Sequence, residues 1–228
     1  TRIGAAAMRE QPIDFETLRY TPLEIESSPV RCPSAQASRA MEEEITAARA
    51  VGDTLGGEVA VAIHGVAPAL GSYRGGGMMA RLSKATFSVN DVVSVSFGSA
   101  RDVTRRRGSA VYDSAVLGAH GFAHTTNMSG GIEGGLTTGT SVVMRVGVAP
   151  SASLRAPQKS IDLETLSDAE SFSAAYSPCL VGGVAVAIEA EIAFALASAY
   201  QERFGGVAMS DIHSSYDAYM RRLRLAAR

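Results

Sequence analysis

Cysteine is almost missing from this 228-residue sequence. Cys32 and Cys179 stand far apart, with no CxxC pair and no Cys/His spacing that would hold zinc. Two isolated thiols point to a reducing compartment, and hence to a cytoplasmic protein without a metal site. A surplus of charge is missing too. Formal net charge is −2, with 21 Lys plus Arg against 23 Asp plus Glu, which gives no global case for a nucleic-acid partner or an anionic membrane surface. The tightest basic run, Arg105 to Arg107, reads as a solvated loop, with anion binding as the alternative. No signal peptide is visible. The most apolar run, Leu180 to Tyr200, carries Glu189 and Glu191. Two carboxylates near a bilayer midplane are costly, so the expectation is a buried helix of a soluble protein and no membrane.

What is there suffices for a sizeable core. Hydrophobic residues make up 46 % of the chain and mean hydropathy is +0.09. The length suits one large domain or two small ones, and we read 1–228 as a single domain. The chain opens on Thr1, and TRIGAAAM reads as the tail of a strand, so we expect a portion of a longer protein.

Residues 10–33 carry four prolines and little periodicity and read as a long connecting loop. Ser34 is a suitable N-cap for a helix that buries Ala37, Met41, Ile45 and Ala48 and ends at Gly52. GEVAVAIHGV alternates as a half-buried strand, with His64 at its rim. A bend at Gly75–Gly77 leads to a short helix, Met78 to Thr86. FSVNDVVSVSFG then reads as a turn at Asn90 and Asp91 followed by a strand. SVVMRVGV places Val142, Met144, Val146 and Val148 on one strand face. Residues 149–179 read as irregular, with an acidic helix start near Asp168. A long apolar helix follows to Phe204, closed by Gly205 and Gly206, and then a last helix with Ile212, Tyr216, Tyr219 and Leu223 on one face. Mixed strands and helices with antiparallel-looking neighbours make the class α+β.

The stretch NMSGGIEGGLTTG, Asn127 to Gly139, holds five glycines in thirteen residues. Glycine lets backbone amides approach a ligand, and it also serves plain turns. The Gly-Lys-Ser/Thr ending of a nucleotide loop is absent, as is the acidic residue of the dinucleotide fingerprint. The loop lies between extended segments rather than at a helix N-terminus, which weakens a helix-dipole phosphate site. Turn and ligand surface both stay open on the loop alone.

Order decides more than any single loop. RCP before an acidic helix, GDTLGG, FSVNDVVSVSFG, GSAVYD, NMSGGIEGGLTTG, PQKSID and SPC(x)₉E follow one another in a fixed sequence. This resembles the chorismate synthase family over almost the whole chain, GDTLGG at 52–57 and SGGIEGG at 129–135 being the most specific pieces. The resemblance implies an α+β fold with antiparallel sheets layered around a helical core, and a homotetramer. It also implies reduced FMN, NADP as an associated nucleotide, and an anti-1,4-elimination of phosphate from 5-enolpyruvylshikimate 3-phosphate to give chorismate.

The likeness covers the later part of the family's sequence. The family's Gly-Glu-Ser-His-Gly and Arg-Ser-Ser-Ala-Arg-Glu-Thr motifs and both of its catalytic histidines have no counterpart in these residues. His64, His120, His124 and His213 do not match those histidines and take no acid–base role, so no catalytic residue is assigned. Flavin-contacting positions carry over one by one. Asn90 and Asp91 match the family's Ser-Ile-Asn-Ala turn, with Asp91 in place of alanine. Gly134 matches a glycine that approaches the cofactor. Ala149, Pro150, Ser151, Ala152 and Ser153 match the Lys-Pro-Thr-Ser-Ser loop around the flavin phosphate, with Ala149 in place of lysine. Ala175, Tyr176 and Ser177 fall where the family has Arg-His-Asp or Arg-Ser-Asp, so Ala175 replaces a flavin-binding arginine and Ser177 an aspartate thought to assist proton removal. Two expectations follow: the lyase, of which this chain alone is inactive, or a non-catalytic homologue that keeps fold and oligomer contacts.

Overall fold

A computed structural model describes residues 2–7, 20–118 and 121–226. Residues 10–19 of the proline-bearing segment and His120 lie outside the described residues. In chain order the elements are β1 (Arg2–Ile3), β2 (Ala6–Ala7), α1 (Pro22–Glu26), α2 (Ala35–Val51), β3 (Gly57–Ile63), α3 (Met78–Phe87), β4 (Val92–Phe97) and α4 (Ala100–Val103). A 3₁₀ turn at Gly108–Ala110 precedes β5 (Ala115–Gly118), β6 (Gly121–His124), β7 (Ile132–Glu133), β8 (Leu136–Thr137), β9 (Val142–Val148), β10 (Gln158–Asp162) and β11 (Ser167–Ser171). Helices α5 (Val181–Phe204) and α6 (Met209–Ala226) close the chain. The class is α+β, as the sequence predicts. One sheet has the order β2-β1-β3-β9-β4, and three further sheets are antiparallel hairpins.

Two compact units divide these residues. One comprises Thr1–Ala60, Val89–Ser94 and Val146–Ala187, the other Val61–Ser88, Val95–Arg145 and Ile188–Arg228. In the first, Ser34 caps α2 by accepting from the Ala37 N–H, and Gly52 ends it in the left-handed region. Ala37, Met41 and Ala48 are buried, the stripe that the spacing predicts. The proline-bearing segment does hold a helix, α1, which corrects the loop reading. Thr21 and Glu24 form a reciprocal capping box, with Pro22 in the first turn where its missing N–H costs nothing.

The helix start expected near Asp168 is also overturned. Gln158–Asp162 pairs with Ser167–Ser171 as a hairpin. Asp162 Oδ1 accepts from the Glu164 and Thr165 N–H groups, and Leu166 takes φ +52, so the chain reverses there.

Strand β9 buries Val142, Met144, Val146 and Val148 as expected. In the second unit Tyr200, Phe204, Tyr216 and Tyr219 form a cluster between α5 and α6. The Ala67 N–H donates to Tyr200 Oη at 2.8 Å, and Tyr219 Oη donates to the Pro68 carbonyl at 3.1 Å. The cluster therefore fixes the loop after β3.

Helix α5 is buried along one stripe rather than all round. Val181, Ala185, Ile188, Ile192 and Ala199 are buried, whereas Val186 is 50 % and Phe194 74 % exposed. Its length and composition suffice for a membrane span, and it carries Glu189 and Glu191. One stripe packs; the opposite one is apolar and uncovered.

Candidate functional site

In the first unit, the GDTLGG segment is the foundation of the APSAS loop. Gly52 at φ +75 leaves no space for a side chain, since a Cβ there would stand 2.8 Å from the Ala156 nitrogen. Its carbonyl accepts from the N–H groups of Arg155 and Ala156, both at 3.0 Å. Asp53 Oδ1 accepts from the Thr54 N–H, which turns the Thr54 hydroxyl to the Ser151 carbonyl at 2.7 Å. A Cβ on Gly56 would stand 2.5 Å from the Val148 carbonyl oxygen and 2.8 Å from the Pro150 nitrogen. Only glycine allows that approach of backbone to backbone.

Asp91 joins this foundation. The Ala149 N–H donates to the Asp91 carbonyl at 2.7 Å, and Asp91 itself adopts φ +67. The sequence-predicted positions Asn90, Asp91 and Ala149–Ser153 are thus brought together by backbone bonding. The 173–177 segment meets the same loop, because the Ser173 N–H donates to the Leu154 carbonyl at 2.8 Å. There Ser173 Oγ donates to the Ala175 carbonyl, and Ser177 Oγ to that of Cys179. Tyr176 Oη donates to the Asp53 carbonyl at 2.5 Å, so this tyrosine braces the GDTLGG turn. Burial pushes the Cys179 thiol up, away from thiolate reactivity. Among the described residues no group of three or more His, Cys, Asp and Glu is placed to hold a metal.

The glycine loop is built within the second unit. Asp113, 4 % exposed, gathers its entry by accepting from Thr126 Oγ1 at 2.5 Å, the Met128 N–H at 2.7 Å and the Ser129 N–H at 2.8 Å. Burial by itself would raise this carboxyl, but the bonds from Thr126, Ser129 and Met128 together hold it below the usual aspartate range. Asn127 Nδ2 donates to the Ser141 carbonyl at 2.8 Å, while its buried Oδ1 has no protein partner among the described residues. The Ser99 N–H donates to the Met128 carbonyl at 3.0 Å. Gly130 lies against the Gly98 backbone, and a Cβ on Gly131 would stand 2.5 Å from the Ser141 carbonyl oxygen.

Gly134 and Gly135 then form the two-residue turn of the β7–β8 hairpin, both at positive φ, as a primed turn demands. A Cβ on Gly135 would strike the Ser72 carbonyl. A Cβ on Gly134 would meet nothing within 4 Å among the described residues. So Gly130, Gly131 and Gly135 serve packing inside the protein, and Gly134 faces open space.

His64 pairs its Nδ1 with Ser141 Oγ at 2.9 Å and keeps the rim position the sequence predicts. Asp113 and Thr54 are residues that sequence reasoning passed over. GSAVYD was visible as a motif piece, but its aspartate meets donors 13 to 16 residues further on, which no local spacing reveals.

Comparison with known proteins gives these loops a family. The family model described as chorismate synthase matches residues 2–201. A chorismate synthase of Rubrobacter xylanophilus is 40 % identical over 203 residues, covering 88 % of this chain and 52 % of that protein. One of Desulforudis audaxviator is 38 % identical over 226 residues, covering 98 % of this chain and 57 % of that protein. A solved structure described as "Crystal Structure of Chorismate Synthase" shares the fold with a TM-score of 0.78 at 24 % identity, over 97 % of this chain and 61 % of that one. The chain spans about half the length of the curated relatives it matches. With its GDTLGG and glycine-loop architecture carried on that shared fold, the chain belongs to the chorismate synthase family.

Proposed function

We propose that this chain contributes the flavin-facing loops of a chorismate synthase, the lyase that eliminates phosphate from 5-enolpyruvylshikimate 3-phosphate with reduced FMN as cofactor. The observation that carries the reading is the Asp91–Ala149 backbone bond, which joins two separately predicted flavin segments on the GDTLGG foundation. Two features support a flavin at these loops: the bonding of the 90–91 turn to the 149–153 loop, and the open space at Gly134. Pro150, Ser151 and Ser153 would hold its phosphate end by loop shape and hydroxyl groups, with Asn90 and Asp91 beside its ring. Gly134 fits close cofactor approach, since none of the described residues occupies the space its Cβ would enter. Reduced FMN, when held there, would supply an electron-rich centre for the elimination. The chain's own part is to bind and orient, because none of its residues is assigned a proton to move.

Charge is what these loops have little of. Ala149 and Ala175 stand where the resemblance places lysine and arginine, and a dianionic phosphate loses on the order of a few kcal/mol per missing charge-assisted bond, while Ser177 stands where it places the aspartate of proton removal. That observation favours a second reading, a homologue that keeps fold and oligomer contacts without turnover. Under both readings the chain acts as one domain, in a cytoplasmic homotetramer, and does not turn over alone. Anaerobic titration with reduced FMN, followed by assay with the phosphate ester, separates them. Saturable flavin binding supports the lyase reading, and absence of binding supports the non-catalytic one. Chorismate formed by the chain alone would overturn its expected inactivity.

A further inference from the structure

Asp113 is a buried carboxylate that no step above uses. Its donors all belong to residues 126–129 at the entry of the glycine loop: the Thr126 hydroxyl, the consecutive amides of Met128 and Ser129, and the Ser129 hydroxyl beside them. Two successive N–H groups turned to one anion form the concavity that elsewhere binds a ligand's phosphate. Here the protein fills it with its own carboxylate. Those two amides are therefore spent internally, and an external ligand has to meet the loop further along. The Met128 carbonyl is meanwhile held by the Ser99 N–H, and the Val143 N–H donates to the Gly130 carbonyl at 3.2 Å. Five residues after Ser129 comes Gly134, the loop's glycine with open space before it.

We infer that Asp113 is a positioning residue for the ligand-facing turn of the glycine loop. It acts through Met128 and Ser129, and through them it sets where Gly134 stands. A neutral side chain of the same shape cannot replace it. Asparagine offers one acceptor oxygen and turns an N–H₂ group toward an amide N–H, so one donor loses its partner and faces another donor. The inference rests on the flavin reading of Gly134, and its test has one arm that does not.

The test compares the full chain with Asp113→Asn, Thr126→Val and a stability control, Met41→Ala, which truncates a buried residue of α2. Amide exchange of Met128 to Gly135 is followed by NMR, the reduced-FMN dissociation constant by anaerobic titration, and the melting temperature by circular dichroism. Asp113→Asn is expected to speed loop exchange and weaken FMN about tenfold or more, the equivalent of one lost bond to a charged group. Thr126→Val is expected to produce a smaller change of the same kind. Met41→Ala is expected to lower the melting temperature without moving the loop or the affinity. Asp113→Asn behaving like Met41→Ala in exchange and affinity overturns the inference, because Asp113 would then be structural only. If Asp113→Asn does not fold, Thr126→Val decides, and parental exchange and affinity in that variant overturn it. If the parent chain binds no FMN, the flavin reading falls, and exchange alone decides the positioning role.

Discussion

Thr54 Oγ1 donates to the Ser151 carbonyl at 2.7 Å, across 97 residues of sequence. This one bond ties the turn after α2 to the loop that would carry a flavin's phosphate end. Thr54 is buried, so Thr54→Val keeps the shape and leaves the Ser151 carbonyl without that donor. The expected loss is about 1–3 kcal/mol in urea unfolding, with Thr54→Ser close to the parent. Equal stability of the valine and serine variants would show that the hydroxyl contributes nothing.

The glycines of the loop are expected to separate into two classes. Gly130→Ala forces a Cβ into the Gly98 backbone at φ +69 and is expected to cost roughly 3 kcal/mol or more. Gly134→Ala meets no atom and carries only the left-handed penalty, roughly 1–2 kcal/mol. Gly134→Asn should recover part of that, since asparagine tolerates this region. Thermal unfolding of the three variants checks the order, and similar losses at 130 and 134 would contradict it.

Two substitutions on α5 test its two faces. Ile188 is 0 % exposed, and Ile188→Asp buries a carboxylate with no partner, at a cost of roughly 4 kcal/mol or more. Phe194→Glu, on the open face, is expected to stay within about 0.5 kcal/mol of the parent. Comparable melting temperatures for both variants would mean that the stripe is assigned wrongly.

Asp113 also predicts a pH dependence. Its pKa is lowered on folding, so the unfolded chain binds its proton more readily. The stability it contributes is present above the unfolded aspartate value of about 3.9 and is lost as pH falls through the lowered folded value. Urea midpoints measured from pH 6 downward should fall on the acid side, and Asp113→Asn should flatten that limb. An unchanged acid limb in the variant would assign the loss to other carboxylates.

Elements specified by near neighbours were legible. Ser34 and Gly52 bound α2 because a cap and a left-handed terminus are local choices, and β9 showed itself through alternation over seven residues. Helix α1 escaped because the proline content around it outweighed the Thr21–Glu24 box. The β10–β11 hairpin escaped for a different reason. Its residues are almost all exposed, so burial imposes no period of two on them. The glycine loop was legible as a loop but not in its parts. Which glycine packs and which faces open space depends on Gly98, Ser141 and Ser72, none of them a sequence neighbour. The flavin positions came from resemblance, and the Asp91–Ala149 bond gives the pair a common geometry.

The bare face of α5 has a consequence for the chain's life in a cell. A helix that offers Val186 and Phe194 to water displays the apolar surface that chaperones grasp and degradative proteases sample. Susceptibility of the chain to an added protease is then a readout of how far that face stands open. Phe194→Glu, which removes the exposed ring, should lengthen survival of the purified chain under such a protease, and an unchanged lifetime would mean that this face does not limit it.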